Sequence, residues 1–186
     1  MLHVARMAEG VITATIQRPE FREMVLAAPY SYRRRKTGAG RWDEPAPNVI
    51  YDLIWNGKEM LDGEPGKLDL WVKIIQIADP DVMGSVAYAG AKVIRTDVDF
   101  FNSWVEHGKA GVLAAHWLHE WMHVAGFAHR KDVTKPVRRK DVPYTVAKIL
   151  KKMWGMEKVT NALEAEGLHV GPIEEADLDY DCDCFA

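Results

Sequence analysis

Cysteine is nearly missing from this chain: its 186 residues include two, Cys182 and Cys184, both in the last five positions. A disulfide framework is therefore excluded as a source of stability. Long apolar runs are missing as well. None approaches the roughly 18 residues of a membrane span. The apolar stretch Val11–Ile16 is short and follows Glu9, with no basic segment ahead of it, so no signal peptide is read and a cytoplasmic location is expected. Charge of one sign is also scarce. A net charge of -3 argues against a nucleic-acid binder. No internal repeat is present, which excludes a repeat array.

What remains is an ordinary globular composition, 48% apolar and 27% charged, long enough to bury a proper core in one domain. Within it lies one dense stretch: His119-Glu120-Trp121-Met122-His123-Val124-Ala125-Gly126-Phe127-Ala128-His129. On a helix, positions i and i+4 share a face, so His119 and His123 can point at one metal ion. Glu120 reaches the edge of the same site, where a general base would act on a metal-activated water. Gly126 can adopt a positive φ, end the helix and return the chain so that His129 becomes a third ligand. Three imidazoles leave a tetrahedral ion one open position, the mark of a catalytic zinc site.

His116 competes with this assignment, because His116, His119 and His123 also share a helix face. His129 is preferred, since three ligands spread over two helical turns converge poorly on one ion. His116 is then expected to stand behind the ligands or in the cleft wall. Ala114, Ala115, Leu118, Met122 and Ala125 give the helix a buried face, with the ligands off it. Trp117, Trp121 and Phe127 either line a substrate pocket or pack in the core, and packing is the commoner use of such residues. His3, His107 and His169 are expected at the surface, and the methionines in the core.

The pattern H-E-x-x-H-x-x-G-x-x-H resembles the metzincin branch of zinc metallopeptidases. The resemblance implies one zinc ion per chain held by His119, His123 and His129, with Glu120 as catalytic base and Gly126 at the turn. It also implies an α+β fold, with a small mixed sheet over the active-site helix and a helical C-terminal part. In several metzincin families a Met stands two residues before a Tyr. Here the segment reads Asp141-Val142-Pro143-Tyr144, with Val142 in the Met place, and the chain is similar to short phage and bacterial zincin-like proteins with a Val-Pro-Tyr segment. By the same resemblance Tyr144 is a candidate to donate to the oxyanion, its alternative being a core Tyr at a helix start. Val93–Asp97 is the candidate edge strand for pairing with an extended protein or peptide substrate.

Along the chain, the β-branched residues of Val11–Gln17 read as a strand and Pro19–Leu26 as a short helix. Residues 29–47 read as a loop whose run Arg33-Arg34-Arg35-Lys36 is a solvated face. A helix is expected from Asn48 to Asn56 with Val49, Leu53 and Trp55 as its apolar bulk, and strands over Leu68–Ile74, Val82–Tyr88 and Lys92–Phe100. Helices follow at residues 110–125, at Val142–Trp154 and at Met156–Glu166. Strands leading and helices following suggest α+β. A single domain, a metallopeptidase by the resemblance, is expected over residues 1–170. The acidic tail 171–186 carries the two cysteines. That tail is either a simple acidic end or a segment that docks on the basic loop 130–140 and offers a thiolate to zinc.

The function expected from this reading is a zinc endopeptidase without a membrane span, its oligomeric state open. The rival readings are a catalytically silent or latent zincin-like binding protein, and a structural zinc domain closed by a tail cysteine. The basic segments hint at an acidic partner.

Overall fold

The structure is a computed structural model that describes residues 2–60, 68–79, 82–86, 91–131, 133–134 and 138–154. Among these residues it contains six helices and two small sheets. The chain opens with α1 (Leu2–Ile16) and α2 (Pro19–Ala27), then the two-residue strands β1 (Arg35–Lys36) and β2 (Trp42–Asp43), then α3 (Pro47–Trp55). A three-stranded sheet follows from β3 (Trp71–Ile75), β4 (Gly84–Val86) and β5 (Val93–Asp97). The helices α4 (Val98–Glu106), α5 (Ala110–Val124) and α6 (Val142–Trp154) complete the described chain. Helices thus lead as well as follow, contrary to the order expected. The expected helix at Met156–Glu166 and the acidic tail lie outside the described residues.

The segment read as a strand at Val11–Gln17 is the second half of α1. Its β-branched residues favour strands locally, but Met7, Ala8, Val11, Ile12 and Ile16 fall on one helical face and are buried. That face packs against α5. Tertiary burial at the helical period outweighs a propensity worth only a few tenths of a kcal/mol per residue. In α3 the core residues are Ile50, Leu53 and Ile54, while Val49 and Trp55 face outward.

The sheet is mixed, with order β3-β5-β4: β3 runs parallel to β5 and β4 antiparallel to it. Val93–Asp97 is therefore the central strand, and the expectation that it forms the substrate-facing edge is corrected. Ile94, Thr96 and Asp97 are buried, as a strand flanked on both sides requires. The expected strand over Lys92–Phe100 stops at Asp97, because the Asp97 side chain caps α4. Its Oδ1 accepts from the N–H groups of Asp99 at 2.9 Å and Phe100 at 3.3 Å, satisfying donors a helix start leaves orphaned.

Helix α5 is the axis of the core. It packs against α1, α4, α6, β4 and β5, and every residue from Ala110 to Val124 is buried. A helix apolar on one stripe would leave its polar side in solvent; here even the histidines and Glu120 are enclosed.

Candidate metal centre

Helix α5 places His119 and His123 one turn apart, with Glu120 between them in sequence, and its C-terminus supplies the return. At Gly126 the backbone takes φ 99°, a conformation L side chains avoid. A second constraint acts at the same residue: a Cβ there would lie 2.3 Å from the carbonyl oxygen of Lys36. The glycine thus both turns the chain and lets the 34–36 segment approach. That segment is stitched down by Lys36 N–H to Gly126 O at 2.9 Å and Ala128 N–H to Arg34 O at 3.2 Å. The Arg35 Nε donates to Ala125 O at 2.7 Å. The region read as an irregular loop is therefore part of the scaffold that carries His129.

The turn brings the three sequence-predicted ligands together. One nitrogen of each of His119, His123 and His129 lies within 4.8 Å of the others, and all three residues are buried. The Nε2 atoms of His119 and His129 are 3.3 Å apart. Two nitrogens on one tetrahedral zinc, each at about 2.05 Å, stand about 3.3 Å apart, so the separation suits a shared ion. The Nδ1 of His123 lies 2.7 Å from the carbonyl oxygen of Phe127. A carbonyl only accepts, so Nδ1 carries the proton and Nε2 keeps the lone pair for a metal.

Electrostatics favour the same state. Burial, followed by the neighbouring His123 and His129, holds His119 well below the usual imidazole range. Burial, followed by His129, does the same to His123. His129 is lowered to about 3 by burial and then by Arg138. Neutral imidazoles are the metal-binding form. Burial alone pushes the Glu120 carboxyl well above its ordinary value, which strengthens it as a proton acceptor. The donor set thus fits a divalent ion that takes nitrogen ligands.

Tyr144, near the start of α6, stands against two of the ligands, its ring centroid 4.6 Å from His119 and 4.7 Å from His129. Val142, in the Met place, is buried in the core two residues earlier. His116 is held apart from the cluster. Trp117 Nε1 donates to Thr96 Oγ1 at 3.2 Å, and that hydroxyl pairs with His116 Nε2 at 3.1 Å. The His116 ring also fills the space above Gly84, where a Cβ would come within 2.3 Å of its Cε1. It is a fully buried bridge between β4, β5 and α5, not a cleft wall. Trp117, Trp121 and Phe127 are core residues, so the pocket-lining alternative for them is corrected. His3 and His107 are exposed.

One participant escapes the sequence reading. Asp141 Oδ2 lies 3.6 Å from His129 Nδ1 and accepts from the Arg130 N–H at 2.9 Å. Burial raises its carboxyl to about 6, against the opposing pull of the Arg130 N–H and the Arg130 and Arg138 cations. In sequence it reads as an ordinary residue ahead of a helix. Only the pairing of Tyr32 with Asp141 and of Ser31 N–H with Lys140 O fixes it beside the third ligand.

Comparison with protein-family models, curated proteins and solved structures returns no match for this chain. No described helix is long and apolar enough to cross a membrane. Its chemistry is therefore read from the site itself.

Proposed function

We propose that this chain is a zinc-dependent endopeptidase of metzincin type, with His119, His123 and His129 holding one ion and Glu120 acting as general base. The observation that carries this reading is the convergence of three buried imidazoles, two of them on a helix that also buries Glu120 between them. The described residues offer this set three protein ligands, which leaves a tetrahedral ion one position for the reaction. When bound, zinc supplies a water with pKa lowered to roughly 7 and polarises the scissile carbonyl.

The residues of the chain then divide the work. Glu120 takes the proton from the attacking water and returns it to the leaving amine. Tyr144, packed against His119 and His129, donates to the carbonyl oxygen as negative charge builds there. The Phe127 carbonyl holds His123 with its Nε2 inward, and the Asp141 carboxylate stands 3.6 Å behind His129 Nδ1.

The test pairs metal content with cleavage of a mixed peptide library, for the wild type and Glu120→Gln. One zinc per chain in both, with cleavage in the wild type alone, is the expected result. Zinc in both without cleavage refutes the peptidase and leaves a binding protein.

A further inference from the structure

The ligand cluster is not evenly enclosed. His119, Glu120 and His123 are 0% exposed, whereas His129 and Tyr144 each retain 8%. What little exposure the cluster keeps therefore falls on the His129–Tyr144 side. Three separate segments meet there: the 34–36 strand bonded to Gly126 and Ala128, the His129–Lys131 loop, and the 138–141 turn bonded to Ser31 and Arg130. Residues 31–44 carry five cationic side chains, and the described residues of 127–141 carry five more, against Asp43, Glu44 and the buried Asp141. Arg34, Arg41, Lys131, Arg139 and Lys140 are exposed. What the sequence offers as two solvated basic runs far apart, the fold gathers into one cationic rim beside His129.

We infer that this rim selects acidic peptides, so that substrates carry Asp or Glu side chains flanking the bond presented to the site. The inference rests on the peptidase reading for its consequence, but the rim itself is a binding surface that can be tested without turnover. The rim stands on the same side of the cluster as His129, and its clustered positive potential concentrates anionic ligands there. A nucleic acid fits less well. One face of each of the rim's aromatic rings is taken by the rim's own cations, with the Arg130 guanidinium 5.2 Å over Tyr32 and that of Arg34 4.7 Å over Trp42, so bases must compete with those contacts to stack there. The net charge of -3 also repels a long polyanion beyond the rim.

The deciding experiment measures binding to full-length, zinc-loaded Glu120→Gln by fluorescence anisotropy. The probes are a labelled decapeptide rich in Asp and Glu, its Asn and Gln counterpart, and a ten-nucleotide oligothymidine. The acidic peptide is expected to bind roughly ten-fold tighter than its neutral counterpart at low salt, the scale that about three exposed ion pairs supply together. That margin should shrink as salt rises and fall away in the triple variant Arg34→Ser, Lys131→Ser, Lys140→Ser. The salt titration of the unmutated rim decides the matter if the triple variant does not fold. Equal binding of the two peptides, or tighter binding of the oligothymidine, overturns the inference. Acidic-peptide preference in a protein whose wild type cleaves nothing keeps the rim and refutes the peptidase, so the two failures are distinct.

Discussion

Asp141 faces the back of the third ligand, its Oδ2 3.6 Å from His129 Nδ1, while the same oxygen accepts the Arg130 N–H at 2.9 Å. The gap is longer than a hydrogen bond, so the carboxylate acts on the ring through its charge, and carboxylates behind metal-binding imidazoles support the ligand. Asp141→Asn keeps the shape and removes the charge. Zinc affinity, measured by competition with a chromophoric chelator, is expected to fall by roughly 10- to 100-fold with the fold retained. Unchanged affinity would show that the contact is only structural.

Gly126 offers a second test because two costs coincide there. Its φ of 99° burdens any L side chain by roughly 1–2 kcal/mol, and a Cβ would meet Lys36 O at 2.3 Å. Gly108 is the control, with φ 66° and nothing within 4 Å of its Cβ position. Gly108→Ala is expected to cost about 1 kcal/mol in urea unfolding, the strain alone. Gly126→Ala should cost clearly more and also weaken zinc binding, since Lys36 must move off the loop that carries His129. Equal losses in the two variants would remove the close-approach argument.

The sequence made the metal cluster legible because its constraint is local: helical spacing plus one glycine sets three histidines within reach of one ion. The helices over residues 19–27, 47–55, 110–124 and 142–154 were legible for the same reason, from period, proline starts and glycine stops. What failed was non-local. Val11–Ile16 looks like a strand until α5 is there to bury its helical face. Val93–Asp97 looks like an edge until β3 and β4 are seen on either side of it. Asp141 and the basic rim come beside the site, and Thr96 comes to His116 and Trp117, only through pairings between distant segments, which no periodicity announces.

The two ligand sets that the sequence allowed make opposite predictions. His116 is bonded through Thr96 to Trp117 and sits over Gly84, so His116→Gln should retain one zinc per chain. His129→Ala should lose it or bind far more weakly. Thr96→Val removes the shared hydroxyl and strands two buried polar groups, at a cost of about 2–3 kcal/mol, without altering the zinc stoichiometry. Loss of zinc in His116→Gln with retention in His129→Ala would reverse the assignment.

The metal-free protein should be acid-sensitive, and the sign follows from the buried histidines. His116 is lowered to about 3 by burial and then by Lys151, and His129 to about 3 by burial and then by Arg138. His119 and His123 are shifted the same way, first by burial. In the unfolded chain these groups take up protons near pH 6.5. The unfolded state therefore binds more protons than the native one below that pH, and stability falls on acidification by up to about 1.4 kcal/mol per pH unit for each such histidine. Glu120 and Asp141, raised chiefly by burial, act in the opposite direction, since the native state holds their protons more tightly than the unfolded chain does. Four histidines outweigh two carboxyls, so the urea midpoint of chelator-treated protein should drop steadily from pH 7 to pH 5. Zinc binds only deprotonated imidazoles and stabilises the folded state that binds it. Added zinc should therefore raise the midpoint strongly at pH 7 and progressively less toward pH 5. A metal-free midpoint that is flat or rises over this window would mean that the histidines are not held neutral by burial.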